Sequence, residues 1–305
     1  MSNIQELQSK IKENPNDYKL IEEYAIALSD IGENEEAYKS FMHLKNVMPD
    51  NHIVYYNLGI ILEKLKDIDT AIMTYEKALE LNPDSSDVMY NLANLYIKVN
   101  KLEQAEKLFL EIINNDEEDE NSLFYLGQIY SKLKKHDLAI EYLEKALSLN
   151  IDDVIAKFYL AYSYKEIGKV DVAINLYNEV IEQSPDYSWA YYNLAMISLE
   201  MGDEDKALFY LERTVRLNPK DIEAIKLSVK IFMKHKKFSI VEKILKGAVS
   251  DMPLEADLSY LLAQVYKELE NTEKYHKFLM MTNENISTFT GNVDILNEEL
   301  ASVNK

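Results

Sequence analysis

The five histidines are the residues of this chain best suited to bind a metal or to transfer a proton at neutral pH. They are His43, His52, His136, His235 and His276. They lie far apart in the sequence, and no two have the short spacing of a metal-ligand pair. The chain contains no cysteine, which excludes disulfides, thiolate metal sites and cysteine nucleophiles. The sequence therefore predicts no metal centre, and we interpret the histidines as surface or turn residues.

A run of acidic residues from Asp116 to Glu120 is a second candidate for chemistry. It lacks the glycine and the terminal glutamate of a calcium-binding loop, so we interpret it as a solvated turn. The sequence has no glycine-rich phosphate loop and no serine in a nucleophile elbow. Nothing selects an acid–base pair from the 53 acidic residues. We therefore expect a protein that is not an enzyme and that needs no cofactor.

Charge and composition restrict the partners. The 305 residues carry 53 acidic and 33 basic side chains, a formal net charge of −20, so nucleic acids and anionic membrane surfaces would be repelled. No apolar stretch is long enough to cross a bilayer, and the N-terminal residues do not resemble a secretory signal. We expect a cytoplasmic protein without nucleic-acid partners or membrane insertion. Only seven glycines and six prolines favour helices joined by short turns.

The prolines and a set of alanines reveal an internal repeat of 34 residues. The prolines are spaced by 34 residues or by a multiple of 34, at Pro15, Pro49, Pro83, Pro185, Pro219 and Pro253. The alanines keep the same period, at Ala37, Ala71, Ala105, Ala139, Ala173 and Ala207. Two residue types in one register exclude a bias of composition. With the alanines at position 20, eight repeats begin at residues 18, 52, 86, 120, 154, 188, 222 and 256.

Each repeat contains two helical patterns separated by a polar turn, which predicts a helical hairpin. In the second repeat the first helix has an apolar stripe from Tyr55 to Leu62, and Ala71, Tyr75 and Ala78 form the facing stripe. Small residues at positions 8 and 20 allow close approach of the two helices, and larger residues at positions 7, 11 and 24 fill the gaps. The proline at position 32 separates one hairpin from the next.

This pattern resembles the tetratricopeptide repeat family, whose period is 34. The family motif is matched by Tyr55, Leu58, Gly59, Leu62, Ala71, Tyr75, Ala78 and Pro83. The resemblance implies an all-α, right-handed α-solenoid of about eight 34-residue helix-turn-helix repeats with a C-terminal capping helix. The expected division is a lead-in helix over residues 1–17, the repeat array over residues 18–289 and the capping helix over residues 290–305.

The last two repeats depart from the family pattern. Position 20 is Val241 and then Tyr275, and position 7 of the seventh repeat is Ser228, so less close helix packing is expected there. In the capping segment one face is apolar, formed by Val293, Leu296, Leu300 and Val303. We expect this face to cover the exposed end of the stack.

The resemblance further implies a protein-binding scaffold whose first helices line a concave groove for an extended peptide. Read onto this chain, the groove residues are Tyr56, Asn57, Tyr90, Asn91, Asn94, Phe124, Tyr125, Gln128, Phe158, Tyr159, Tyr162, Trp189, Tyr192 and Asn193. Carboxamides can pair with a peptide backbone irrespective of its side chains, and aromatic rings add contact area. The alternative is that these are the family's favoured residues and serve packing and solubility.

The seventh repeat is the one repeat with a net positive charge, having seven lysines against four acidic residues. Lys226, Lys230 and Lys234 are spaced by four residues and are expected to face the groove. They predict binding of an acidic or phosphorylated segment or a carboxy terminus; a solvated basic face is the alternative.

The clamp that other family members use for chaperone C-terminal tails is not matched by three successive repeats. A self-assembling structural scaffold that uses the end repeats or the convex face is the alternative function.

Overall fold

The computed structural model describes residues 2–303, which contain eighteen α-helices, one short 3₁₀ turn at Ile286–Thr288 and no β-strand. The helices are α1 (Ser2–Glu13), α2 (Tyr18–Asp30), α3 (Asn34–Val47), α4 (His52–Lys64), α5 (Ile68–Leu81), α6 (Ser86–Lys98), α7 (Leu102–Asn115), α8 (Glu120–Lys132), α9 (His136–Leu149), α10 (Val154–Glu166), α11 (Val170–Gln183), α12 (Ser188–Glu200), α13 (Glu204–Leu217), α14 (Ile222–Lys234), α15 (Phe238–Asp251), α16 (Ala256–Glu268), α17 (Thr272–Glu284) and α18 (Val293–Val303). Helices α2 to α17 form eight pairs. The predicted all-α repeat fold is confirmed.

The chain divides within α10 into two compact units, unit 1 (residues 1–159) and unit 2 (residues 160–305). The predicted division into lead-in, array and cap stays a prediction, and residues 1, 304 and 305 lie outside the described residues. Between residues 2 and 303, no helix has both the length and the apolar character needed to cross a membrane.

The turn inside each hairpin depends on a left-handed residue at position 15. Glycine supplies it three times, at Gly32, Gly168 and Gly202, each with φ between 77° and 86°. Five repeats place another residue there, with φ between 55° and 64°: Lys66, Asn100, Lys134, Lys236 and Glu270. Glycine adopts this conformation without strain, whereas a residue with a Cβ pays about 1–2 kcal/mol. The glycines thus revealed a turn that is common to all eight repeats.

Five of the eight turns that precede a first helix are fixed by a side-chain cap on that helix, whereas the residues that directly precede α6, α12 and α16 form no such cap. Carboxylate or carboxamide oxygens at position 34 accept hydrogen bonds from backbone N–H groups in the first turn of the next helix. The residues that do so are Asp17, Asn51, Asp119, Asp153 and Asp221. The prolines lie in these turns, where their missing N–H removes no helical hydrogen bond.

In unit 1, small residues face large ones across each hairpin, as predicted. The position-20 alanines Ala37, Ala71, Ala105 and Ala139 are completely buried. Gly59 lies so close to the second helix that an added Cβ would be 2.7 Å from Cδ1 of Tyr75. That ring cannot easily move, because it is fully buried and its hydroxyl donates to Glu63 at 2.8 Å.

In unit 2, the two atypical repeats retain the helical hairpin, but different side chains are buried between its two helices. Val241 and Ser228 are completely buried, and the Ser228 hydroxyl is satisfied by the carbonyl oxygen of Ala224 at 2.6 Å. Tyr275 is also buried. Helix α18 contributes Leu296 to the core, with Leu300 and Val303 packed against it. Val293 is 41% exposed and contributes less to this packed face than the other three residues do.

Candidate functional site

The residues predicted to bind a peptide lie on first helices of both units. In unit 1 they are Tyr56 and Asn57 on α4, Tyr90, Asn91 and Asn94 on α6, Phe124, Tyr125 and Gln128 on α8, and Phe158 and Tyr159 on α10. In unit 2 they are Tyr162 on α10, Trp189, Tyr192 and Asn193 on α12, and Lys226, Lys230 and Lys234 on α14. We call the first set the unit 1 face.

Successive first helices of unit 1 contact one another through positions 5 and 6. Asn57 donates to the carboxylate of Glu22 on the preceding first helix at 3.3 Å, and Asn91 donates to the hydroxyl of Tyr56 at 3.3 Å. Burial raises the pKa of the Glu22 carboxyl and that of the Tyr56 hydroxyl. Asn57 and Asn91 therefore hold the stack together, which supports part of the packing interpretation.

Further along the same face, aromatic rings replace the carboxamides. The rings of Tyr90 and Tyr125 meet edge to face at 5.9 Å, and Tyr125 stacks on the buried Phe109 at 5.2 Å. Phe124 and Tyr159 repeat the edge contact at 6.3 Å. Burial, with a hydrogen bond to Tyr90, raises the pKa of Tyr125 to about 12, so its phenol is neutral at physiological pH. These half-buried rings form a semi-rigid apolar surface.

Two carboxamides on this face have spare hydrogen-bonding capacity. Asn94 donates one N–H to the carbonyl oxygen of Tyr90 at 3.0 Å. Its second N–H and its own carbonyl oxygen have no hydrogen bond among residues 2–303. Gln128 bonds to the Tyr159 hydroxyl, and this bond partly offsets the rise in the Tyr159 pKa that burial causes. A donor and an acceptor on Asn94 are thus left for a ligand backbone.

The aromatic residues of unit 2 are less alike in exposure. Trp189 is 52% exposed, and its ring meets Tyr192 edge to face at 6.2 Å. Asn193 is buried and donates to the carbonyl oxygen of Trp189 at 2.9 Å, so it braces α12. The Lys165 ammonium lies 5.8 Å from the Tyr162 ring. In unit 1, at the other end of α10, Phe158 meets Tyr159 edge to face at 5.6 Å.

The three lysines of α14 have different surroundings. Lys226 is partly buried and pairs with the carboxylate of Asp257 at 2.6 Å. Lys234 instead pairs with Glu204, at the start of α13. Lys230 is exposed and has no ion pair within the described part of the chain. The structure therefore places Lys226 and Lys230 at one site and Lys234 at another.

That shared site contains residues that the sequence patterns did not single out. A cavity of about 420 Å³ lies beside Lys226 and Lys230. Its other lining residues are Val229, Met233, Asp257, Tyr260, Leu261, Phe289, Thr290 and Gly291. Asp257, Tyr260 and Leu261 occupy repeat positions 2, 5 and 6, which the groove pattern could have indicated. Phe289 precedes α18, and no periodic signal marks it.

No group of three or more histidine, aspartate or glutamate residues that could hold a metal ion occurs within the described range, 2–303. The faces described above consist of apolar, aromatic and hydrogen-bonding groups with a few charges. Such surfaces suit recognition of another chain.

Three family models, each described as a tetratricopeptide repeat, match the chain. One matches residues 24–86, a second matches residues 62–123 and 166–231, and a third matches residues 121–153. No curated protein matches the chain.

Several solved structures are similar. YrrB, described as a TPR protein with an unusual peptide-binding site, is 26% identical over 61% of this chain and 96% of its own, with a TM-score of 0.52. A tetratricopeptide repeat protein from Parabacteroides merdae is 18% identical over 94% of this chain and 99% of its own, with a TM-score of 0.60. PilF from Pseudomonas aeruginosa is 19% identical over 70% and 97%, with a TM-score of 0.57.

The last two likenesses concern the fold alone, whereas the family models match repeats in both units. Those matches agree with the paired helices, the buried position-20 alanines and the left-handed residue of each hairpin turn. This chain belongs to the tetratricopeptide repeat family.

Proposed function

We propose that this protein is a non-enzymatic interaction scaffold that binds an extended segment of a partner protein along its first helices. The observation that carries the proposal is the row of half-buried aromatic and carboxamide side chains on the unit 1 face. Rings held by neighbouring rings lose little entropy when a ligand covers them. YrrB, which shares 26% identity, is described as having a peptide-binding site, and this likeness supports the proposal.

The hydrogen-bonding groups of this face suit a backbone ligand. Asn94 has a free N–H and a free carbonyl oxygen, and a peptide in extended conformation presents both complementary groups. First helices that pack about 8–10 Å apart would meet roughly every third residue of such a peptide. A segment of about twelve residues would then cross the four first helices that carry the unit 1 face.

A matched pair of variants in the third repeat tests the proposal. Peptides of about twelve residues would be selected from a random phage-displayed library on the wild-type chain and then measured by fluorescence polarisation. Asn94→Arg places a bulky cation on the first helix, and Gln104→Arg places the same side chain on the exposed surface of the second helix. We expect Asn94→Arg to weaken binding about tenfold or more and Gln104→Arg to leave it unchanged.

The reverse pattern, with binding lost in Gln104→Arg and kept in Asn94→Arg, would contradict the first-helix face. If the selection yields no peptide and light scattering shows concentration-dependent oligomers, the alternative function is favoured, a scaffold that assembles with itself. Circular dichroism of both variants checks that each remains folded.

A further inference from the structure

The cavity of unit 2 has apolar walls and one charged edge. Val229 and Met233 of α14 form one wall, and Tyr260 and Leu261 of α16 form another. The third wall is Phe289, which comes from the segment that precedes α18 and whose ring lies 5.1 Å from that of Tyr260. A volume of about 420 Å³ lies within the range of ligand pockets, about 300–1,000 Å³, and accommodates an aromatic or leucine side chain.

The third wall is held in place by a network around Asp257. Its carboxylate accepts the backbone N–H of Thr290 at 2.7 Å and the Thr290 hydroxyl at 2.6 Å, besides the ammonium of Lys226 at 2.6 Å. Because three donors fix Asp257, the adjoining Phe289 is positioned before any ligand arrives. Such preorganisation lowers the entropic cost of binding.

Gly291 is required for the position of the Phe289 ring. A Cβ at residue 291 would lie 2.8 Å from Cε2 of that ring, closer than side chains tolerate. An alanine at this position must therefore displace the wall of the cavity. Gly247, on α15 in the same unit, has open space around its missing Cβ and offers a matched control.

The charge at the edge of the cavity selects for an acidic ligand. Asp257 neutralises Lys226, whereas Lys230 has no ion pair among the described residues and lines the same cavity. The seventh repeat has seven lysines against four acidic residues, in a chain of net charge −20. An acidic segment is therefore attracted to this repeat and repelled by most of the remaining surface.

We propose that this cavity binds an acidic–apolar segment within a partner protein. An aromatic or leucine side chain fills the cavity, and the side-chain carboxylate of a neighbouring Asp or Glu pairs with Lys230. The proposal rests on the proposed function, because it assumes a partner segment along the first helices and names its chemistry at the seventh repeat. A buried apolar anchor beside an exposed charge pair is typical of binding hot spots.

The test measures amidated synthetic peptides by fluorescence polarisation. A peptide of about twelve residues crosses only about four first helices, so these peptides are selected from the same library on the full-length Asn94→Arg variant, which keeps the cavity of unit 2. Four variants form two matched pairs: Lys230→Glu with Lys243→Glu, an exposed lysine of α15, and Gly291→Ala with Gly247→Ala. We expect the selected peptides to share an apolar residue next to an acidic one. Lys230→Glu should weaken them about tenfold, and Gly291→Ala should weaken them also, while both controls bind as the wild type does.

Replacing the acidic residue of the peptide by its amide should weaken binding to the wild type and leave binding to Lys230→Glu almost unchanged. Three results would overturn the inference: peptides without the acidic–apolar pair, binding that requires a free carboxy terminus or a phosphate group, or equal effects of a variant and its control. If the peptides selected on Asn94→Arg are indifferent to Lys230→Glu and Gly291→Ala, while the peptides selected on the wild type are lost in Asn94→Arg, this inference is overturned and the proposed function stands.

Discussion

Replacement of Asp257 by alanine should loosen the C-terminal end of unit 2. The carboxylate is 10% exposed, and it accepts two hydrogen bonds from Thr290 and one from Lys226. These contacts join α14, α16 and the segment that precedes α18. Without the carboxylate, the partly buried Lys226 keeps only its longer contact with the exposed Glu223, at 3.5 Å.

The size of the effect follows from those contacts. A hydrogen bond to a charged group contributes about 1.5–3 kcal/mol, and the three bonds of Asp257 are not additive. The Lys226 side chain is 28% exposed, so water can solvate part of its charge in the variant. We expect Asp257→Ala to cost about 2–4 kcal/mol. Asp257→Asn retains the shape and one acceptor oxygen, so it should cost about half as much.

Hydrogen exchange measured by mass spectrometry is the suitable assay, because repeat arrays open locally and need not unfold in two states. Exchange in α18 should accelerate by roughly 25-fold or more, the factor that corresponds to about 2 kcal/mol. Asp186→Ala, an exposed carboxylate in a turn of the same unit, is the control and should change stability by less than about 0.5 kcal/mol. If α18 exchanges equally fast in Asp257→Ala and in the wild type, the network does not hold this segment.

The stability that Asp257 contributes should depend on pH. Burial opposes ionisation of Asp257, but the hydrogen bonds from Lys226 and Thr290 outweigh it and lower its pKa below the ordinary value. Its contribution to stability is therefore complete above the ordinary pKa of an aspartate and is lost as the pH falls through the lowered value. Asp257→Asn should remove this part of the acid sensitivity of α18, which hydrogen exchange at several pH values can measure.

Two further predictions concern glycine. Gly59→Ala should be destabilising relative to Gly247→Ala by about 1–3 kcal/mol, since both gain helix propensity but only the first forces the Tyr75 ring to move; equal melting temperatures would contradict the close contact. Glu270→Gly should stabilise unit 2 by about 0.5–1 kcal/mol, because Glu270 has a φ of 55°, and a lower melting temperature would contradict that account.

The fold was predictable because it repeats. Proline and alanine, each with a distinct physical role, recur with a period of 34, so the register did not depend on any single position. The turn inside each hairpin could be predicted only in part from the sequence. Position 15 is left-handed in every repeat, but residues such as Lys66 and Glu270 carry no sign of it in their chemistry. The conformation goes with backbone hydrogen bonds that close the turn, such as those from Asp67 to Leu62 and from Asn271 to Tyr266.

The details of the candidate site depend on contacts between distant residues. Spacing by four residues placed Lys226, Lys230 and Lys234 on one helix, but it could not show which of them Asp257 or Glu204 neutralises. The wall formed by Phe289 exists because α18 starts only at Val293 and Thr290 binds back to Asp257. Neither the start of α18 nor the hydrogen bond from Thr290 to Asp257 leaves a periodic signal in the sequence.

Photo-crosslinking of a selected peptide tests the central claim most directly. A peptide that carries a benzophenone at successive positions would be irradiated with the full chain, and the modified residues would be identified by mass spectrometry. Our account predicts crosslinks on the first helices, such as α4, α6 and α8, with the site advancing from one repeat to the next as the probe moves along the peptide. Crosslinks confined to second helices, such as α5, α7 and α9, would contradict it.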